Sequence, residues 1–350
     1  MALDHKYESD DDVRWRRELG VQVAQAYAAS PKIAAVALAG SVARGWADRY
    51  SDVELDVFWQ EPPTDQERLA VLAQAGCRVD VQWADPPSHE AYRAILRRTN
   101  GHASQVWPYE DDEWSEHFYV NRVNIGVSAF LAVTVERWLD DVITGLDTDD
   151  DKHILIASLQ QGQPLHGVER LQAWKNRIHY PDELAAAVLR KLLEVDESWW
   201  QRDMLAGRDA LIPLHDLLCR SQRWLLRLLL ALNRIWLPDP RFKWAGRLVE
   251  QMPLAPPDLA RRLRLVFQVP PPAAVAEMEA LALETLSLVD RYVPAVDTGF
   301  AREWLGYRRA VWEGADGERW VGSSGQSSAS RLLKPREQVR RHSHRDRQVT

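Results

Sequence analysis

VALAGSVARGWADRYSDVELDVF, residues 36 to 58, decides how this chain is read. It opens with an apolar run, Val36 to Ala39, that ends at Gly40-Ser41, and it closes with Asp52, Glu54 and Asp56 alternating with Val53, Leu55 and Val57. In a strand, successive side chains point to opposite faces, so the three acids share one face and the three apolar residues the other. Carboxylates so crowded repel one another and resist burial unless they are paired or bind metal. A solvated edge strand would explain the pattern; so would a divalent cation, because Mg²⁺ takes one or two carboxylates together with substrate phosphates. Gly40-Ser41, followed by helix-forming Val42, Ala43 and Arg44, predicts a tight turn into a helix start, where backbone N–H groups and a hydroxyl can hold phosphate.

An apolar strand, Gly40-Ser41, ten intervening residues and Asp52-Val53-Glu54-Leu55 together resemble the signature of the polymerase-beta-like nucleotidyltransferase superfamily. More narrowly, GSVARGWADRYSDVEL resembles the same segment of the kanamycin (aminoglycoside) nucleotidyltransferases. The resemblance implies that Asp52 and Glu54 hold Mg²⁺ and that Gly40 and Ser41 hold nucleotide phosphates, with Ser41 and its N–H gripping pyrophosphate. Asp56 falls outside the two-acid pattern and stands beside it as support. A third acid is implied on a neighbouring strand, and RVDVQW, residues 78 to 83, offers Asp80, completing a two-metal site. Arg44, one turn into the helix, is a candidate phosphate contact or a surface ion pair. The family's general base, a carboxylate from the helical domain, has no secure counterpart here. Asp216 is the candidate, since an acid within the apolar LIPLHDLLCRSQRWLLRLL is expensive unless it faces a cavity. A helix ion pair with Arg220 explains it as well. Lys243, in FKWA after a proline break, is a candidate phosphate ligand.

With 350 residues the chain can form two cores. The boundaries expected are residues 1–150 for a nucleotidyltransferase domain, 151–312 for an α-helical domain, and 313–350 for a disordered basic tail rich in Ser, Gly, Arg and His. A net charge of −7 argues against a protein that coats nucleic acid. Cys77 and Cys219 stand far apart and in no metal-ligand spacing, and the N-terminus is acidic rather than signal-like. Arg227 and Arg234 interrupt the longest apolar run, so a buried helix is expected there and not a membrane span. A cytoplasmic location is the expectation. The sixteen tryptophans are expected mainly in packing.

Patterning predicts a helix over 9–29, a strand over 32–39, a short connection into the acidic strand, and a helix opened by Thr64-Asp65-Gln66-Glu67 and closed by Gly76. A helix up to Arg98 is expected next. A polar loop should follow, carrying His102 and Trp107 as weak substrate-contact candidates and a solvated acidic run from Glu110 to Glu113. A strand over 123–133 precedes a helix capped by Thr134. Further on, helices are expected at about 182–206, 209–237, 256–268 and 273–291. The fold class is α+β: a small mixed sheet of the nucleotidyltransferase kind with flanking helices, then a helical domain.

The function expected is Mg²⁺-dependent transfer of a nucleoside monophosphate from ATP or another NTP to a hydroxyl of an unidentified acceptor, a small molecule or a protein. The alternative is a catalytically silent nucleotide-binding or partner-binding module. No membrane or nucleic-acid partner is expected, and homodimerisation stays open.

Overall fold

The computed structural model describes residues 10–76, 113–193 and 197–309. It is an α+β protein: a five-stranded mixed sheet flanked by helices, followed by a helical region. Helix α1 (Asp10–Ala28) leads into β1 (Ile33–Leu38), the short α2 (Gly40–Arg44), β2 (Val53–Trp59) and α3 (Asp65–Gln74). Strands β3 (Glu113–Val120) and β4 (Val123–Leu131) are followed by α4 (Ala132–Ile143), α5 (Asp150–Gln161), β5 (Gln163–His166) and α6 (Val168–Arg177). The sheet order is β3-β4-β2-β1-β5. Among the described residues, the β2–β4 pairing is parallel, and β1 with β2, β1 with β5 and β3 with β4 run antiparallel.

The alternation read from residues 52 to 57 is what the sheet uses. Val53, Leu55, Val57 and Trp59 enter a core with α1 and α3, joined by Leu38, Ile125 and Val127. The opposite face carries Phe58 into a second core with Phe130 of β4 and Trp138, Leu155 and Trp174 from α4, α5 and α6. Both sheet faces are therefore covered, and the acids sit where the second core stops. A Thr64–Glu67 capping box opens α3 as expected, and Gly76 adopts φ +78° just after it.

Three expectations need correction. Residues 113 to 120, read as the end of a loop, form strand β3, paired along its length with β4. The alternation of Glu116 and His117 with Phe118 and Val120 is partly polar on both faces, which hid it. Thr134 does not cap its helix: α4 starts at Ala132 with Leu131 in the cap position, and Thr134 is fully buried inside it. Finally, β5 comes from beyond residue 150 and pairs with β1, so the sheet does not end where the sequence suggests.

The helical region comprises α7 (Asp182–Leu192), a 3-10 turn (Glu197–Gln201), α8 (Arg202–Gly207), α9 (Leu211–Leu232), α10 (Ala245–Val249), α11 (Leu259–Leu265), α12 (Pro271–Tyr292) and α13 (Gly299–Gly306). Its core centres on α9 and α12, with Leu217, Leu225, Leu228, Met278, Leu281 and Leu286 buried together. Among the described residues no helix is long and apolar enough to cross a membrane. Trp236, just past α9, packs into the sheet-side core with its ring 4.4 Å from that of Tyr180 and tilted to it. This anchor brings the following loop, Pro238 to Trp244, against the acidic end of β2.

Candidate functional site

The acids of β2 open into a cavity of about 570 Å³, lined on one side by Gly40, Ser41, Arg44, Asp52, Glu54 and Asp56 and on the other by Asp239, Arg241, Lys243 and Trp244. The turn at Gly40 is dictated by Glu54. Gly40 has φ +61°, and a Cβ there would lie 1.4 Å from a Glu54 carboxylate oxygen, so a side chain would be strained and would occupy the carboxylate's place. Ala39 N–H donates to the Glu54 carbonyl at 2.8 Å. The turn serves first to fix the acid.

Burial, and after it the charge of Asp52, pushes the Glu54 carboxyl above its ordinary range; Lys243, Arg44 and the Ser41 N–H pull it back. This places Lys243, from the helical region, within electrostatic reach of Glu54. Asp52 stands at the mouth of β2, where its Oδ2 accepts from Asn124 Nδ2 at 3.4 Å. The approach to it is built by Asp48, whose carboxylate accepts from Tyr50 N–H at 2.9 Å and from the Ser51 hydroxyl at 3.0 Å. Arg16, only 3% exposed, donates to the Ser51 carbonyl at 2.8 Å and ties the connection to α1. Asp56 is buried on the same face and accepts from the Ser158 hydroxyl of α5.

Arg44 lines the cavity. Burial lowers its pKa, opposed by the negative charges of Glu54, Asp239 and Asp56, and it donates to Gln161 at the end of α5. Its guanidinium also lies 5.4 Å from the Trp46 ring, which is 6.3 Å from Trp244. The loop opposite is organised by Asp239, whose carboxylate accepts the N–H groups of Arg241 at 3.0 Å and Lys243 at 3.2 Å. Phe242 takes φ +55° so that its ring can bury in the helical core, which turns Arg241 and Lys243 toward the cavity. Sequence reading named Lys243 but missed Asp239; an Asp between two prolines before RFKW was the available signal.

Asp216 is not brought to this site. Its side chain is 64% exposed on α9 and pairs with Arg220 Nε at 3.1 Å, the alternative its helix spacing offered. The general-base assignment therefore has no geometric support. Asp80, His102 and Trp107 lie outside the described residues. The cavity face of β4, the described neighbour of β2 on that side, presents Gly126 and Ser128 opposite Glu54 and Asp56. Among the described residues no cluster of three or more His, Cys, Asp or Glu side chains could hold a metal ion. Asp52 and Glu54 remain as the pair of hard-oxygen donors facing the cavity, a set that suits Mg²⁺ completed by phosphate oxygens. The lining carries six carboxylates (Asp48, Asp52, Glu54, Asp56, Asp151, Asp239) against three cations (Arg44, Arg241, Lys243). A polyphosphate could enter such a site only with added positive charge.

No protein-family profile matches the sequence, and no curated protein matches it. Among solved structures the chain is similar to a nucleotidyltransferase-like protein from Exiguobacterium sibiricum 255-15, at 14% identity over 79% of this chain and 77% of that one, with a TM-score of 0.31.

Proposed function

We propose that the cavity is a nucleotidyl-transfer site, which moves a nucleoside monophosphate from ATP or another NTP to an acceptor hydroxyl with the help of Mg²⁺. The observation that carries this reading is the meeting of Asp52 and Glu54 with Arg44, Arg241 and Lys243 around one cavity of about 570 Å³, within the size range of small-ligand sites. The order Gly40-Ser41 then Asp52 and Glu54, which resembles the nucleotidyltransferase signature, supports it independently of the cavity.

Asp52 and Glu54 would hold the cation, which supplies charge neutralisation at the phosphates and an electrophilic centre for transfer. Lys243 and Arg241, presented by the Asp239 turn, would bind phosphate oxygens from the opposite wall with charge-assisted hydrogen bonds. Arg44, held by Gln161, is a third phosphate contact. Gly40 leaves the room that the Glu54 carboxylate occupies, and Ser41 beside it would meet a phosphate at the cavity wall.

The test is titration calorimetry of ATP and GTP with and without Mg²⁺, on wild type and on the double variant Asp52→Asn with Glu54→Gln. Metal-dependent binding that disappears in the double variant is the expected result. Binding indifferent to both metal and mutation would sink the reading. Release of pyrophosphate from a bound triphosphate then separates an active enzyme from a nucleotide-binding module on the same fold.

A further inference from the structure

The rows of the sheet beside the acids carry a second chemical group. Glu54 on β2 stands in register with Gly126 on β4, and Gly126 with His117 on β3; in the next row Asp56 faces Ser128 and Ser128 faces Ser115. His117, Ser115, Gly126 and Ser128 all line the cavity, and His117 is exposed within it. Gly126 is the gap that matters. A Cβ built there would meet His117 Cε1 at 3.5 Å, its Nδ1 at 3.6 Å and Glu54 Cγ at 4.0 Å. The imidazole and the stem of Glu54 therefore overhang the same bare patch of backbone from opposite sides. Neighbouring strands lie about 4.8 Å apart, so two strands would ordinarily separate the groups by about twice that. The missing side chain lets the ring lean back across it.

We propose that His117 is the acceptor's proton acceptor, resting on the nucleotidyl-transfer reading above. A ring nitrogen of His117 accepts the hydrogen bond from the acceptor hydroxyl and takes its proton. The hydroxyl oxygen forms its bond to the α-phosphorus, the bond from that phosphorus to the bridging oxygen breaks, and the electron pair leaves with pyrophosphate. Ser115 and Ser128 line the row beside it and suit an acceptor with further hydroxyl groups. This gives the site a base from the sheet itself, where Asp216 on the exposed face of α9 offers none.

The experiment uses the full chain with Mg²⁺ and ATP, and water as the probe nucleophile, following pyrophosphate release by wild type, His117→Ala and His117→Gln. Both variants should bind Mg²⁺ and ATP as wild type does by calorimetry while releasing pyrophosphate about 100-fold more slowly, the usual worth of a general base. Added imidazole should recover about tenfold in His117→Ala, where the ring's place is open, and nothing in His117→Gln. Wild-type rates in His117→Ala overturn the proposal, as does full activity in His117→Gln without imidazole rescue, which would make the residue a positioning group. Failure of Asp52→Asn with Glu54→Gln to abolish metal-dependent binding is a separate result, and it removes the underlying reading together with this one.

Discussion

The two walls of the cavity are built by different means. The first, Ala39 to Asp56, is one continuous piece of chain that ends in β2, where Glu54 and Asp56 are set by pairing with β1 and β4, and it delivers four acids with Arg44 as its one cation in the lining. The second, Pro238 to Trp244, is a loop held at three points, by Trp236 in the sheet-side core, by Phe242 in the helical core and by the Asp239 carboxylate on its own N–H groups, and it delivers cations. A strand fixes carboxylates that repel one another where no local relaxation can separate them. The loop brings compensating charge from elsewhere in the fold, so neither wall is a site by itself.

The sharpest way to break the first wall is Gly40→Ala. A left-handed residue other than glycine costs about 1–2 kcal/mol, and here the new methyl also displaces the Glu54 carboxylate, so stability should fall by about 2 kcal/mol or more in denaturant unfolding. Metal-dependent nucleotide binding should vanish with it. A variant that binds normally would show that Gly40 does not hold Glu54 in place.

Breaking the second wall should cost less. Lys243→Ala removes one phosphate contact and should weaken nucleotide binding on the order of tenfold, about 1.4 kcal/mol, with a smaller effect on the stability of the free protein than Gly40→Ala. An unchanged affinity by calorimetry would detach the loop from the phosphates.

Glu54→Gln sharpens the comparison from the side of stability. Because burial raises the Glu54 pKa, the folded protein holds this proton more tightly than the unfolded chain. That contribution is fully present below the ordinary value of 4.5 and is lost as pH rises through the raised value in the folded state. Gln keeps the size and polarity of the side chain and removes the loss. The metal-free variant should therefore melt above wild type at pH 7, and the advantage should fade as the pH falls to 4.5 and below. A variant less stable than wild type at pH 7 would mean that Lys243 and Arg44 outweigh the burial.

The smallest effect is expected at Asp216. An exposed ion pair with Arg220 is worth little, so Asp216→Ala should change stability by less than about 0.5 kcal/mol and leave nucleotide binding untouched. Loss of binding would return the helix to the site.

The first wall was legible because its logic is local. Asp52, Glu54 and Asp56 are two residues apart, and the period of a strand alone puts them on one face. Glycine before Ser41 was likewise readable as a turn, although its reason, the approach of Glu54, was not. Strand β3 was hidden because its cavity face carries Ser115 and His117 while its core face includes Glu116, buried through Arg68 at 2.6 Å and Tyr27 at 3.2 Å. A polar residue satisfied by distant partners reads as a loop residue until those partners are in view.

The sequence by itself determined that the chain would be α+β, with an acidic strand after a Gly-Ser turn, because side-chain period and turn chemistry act over a few residues. Only the tertiary structure decided which charges answer those acids and what lies across Gly126. Lys243 faces the cavity of Glu54 from nearly two hundred residues away because Trp236 and Phe242 bury in two different cores, and His117 joins the row because β4 is paired between β2 and β3. Packing brings those groups together, and packing has no period along the chain.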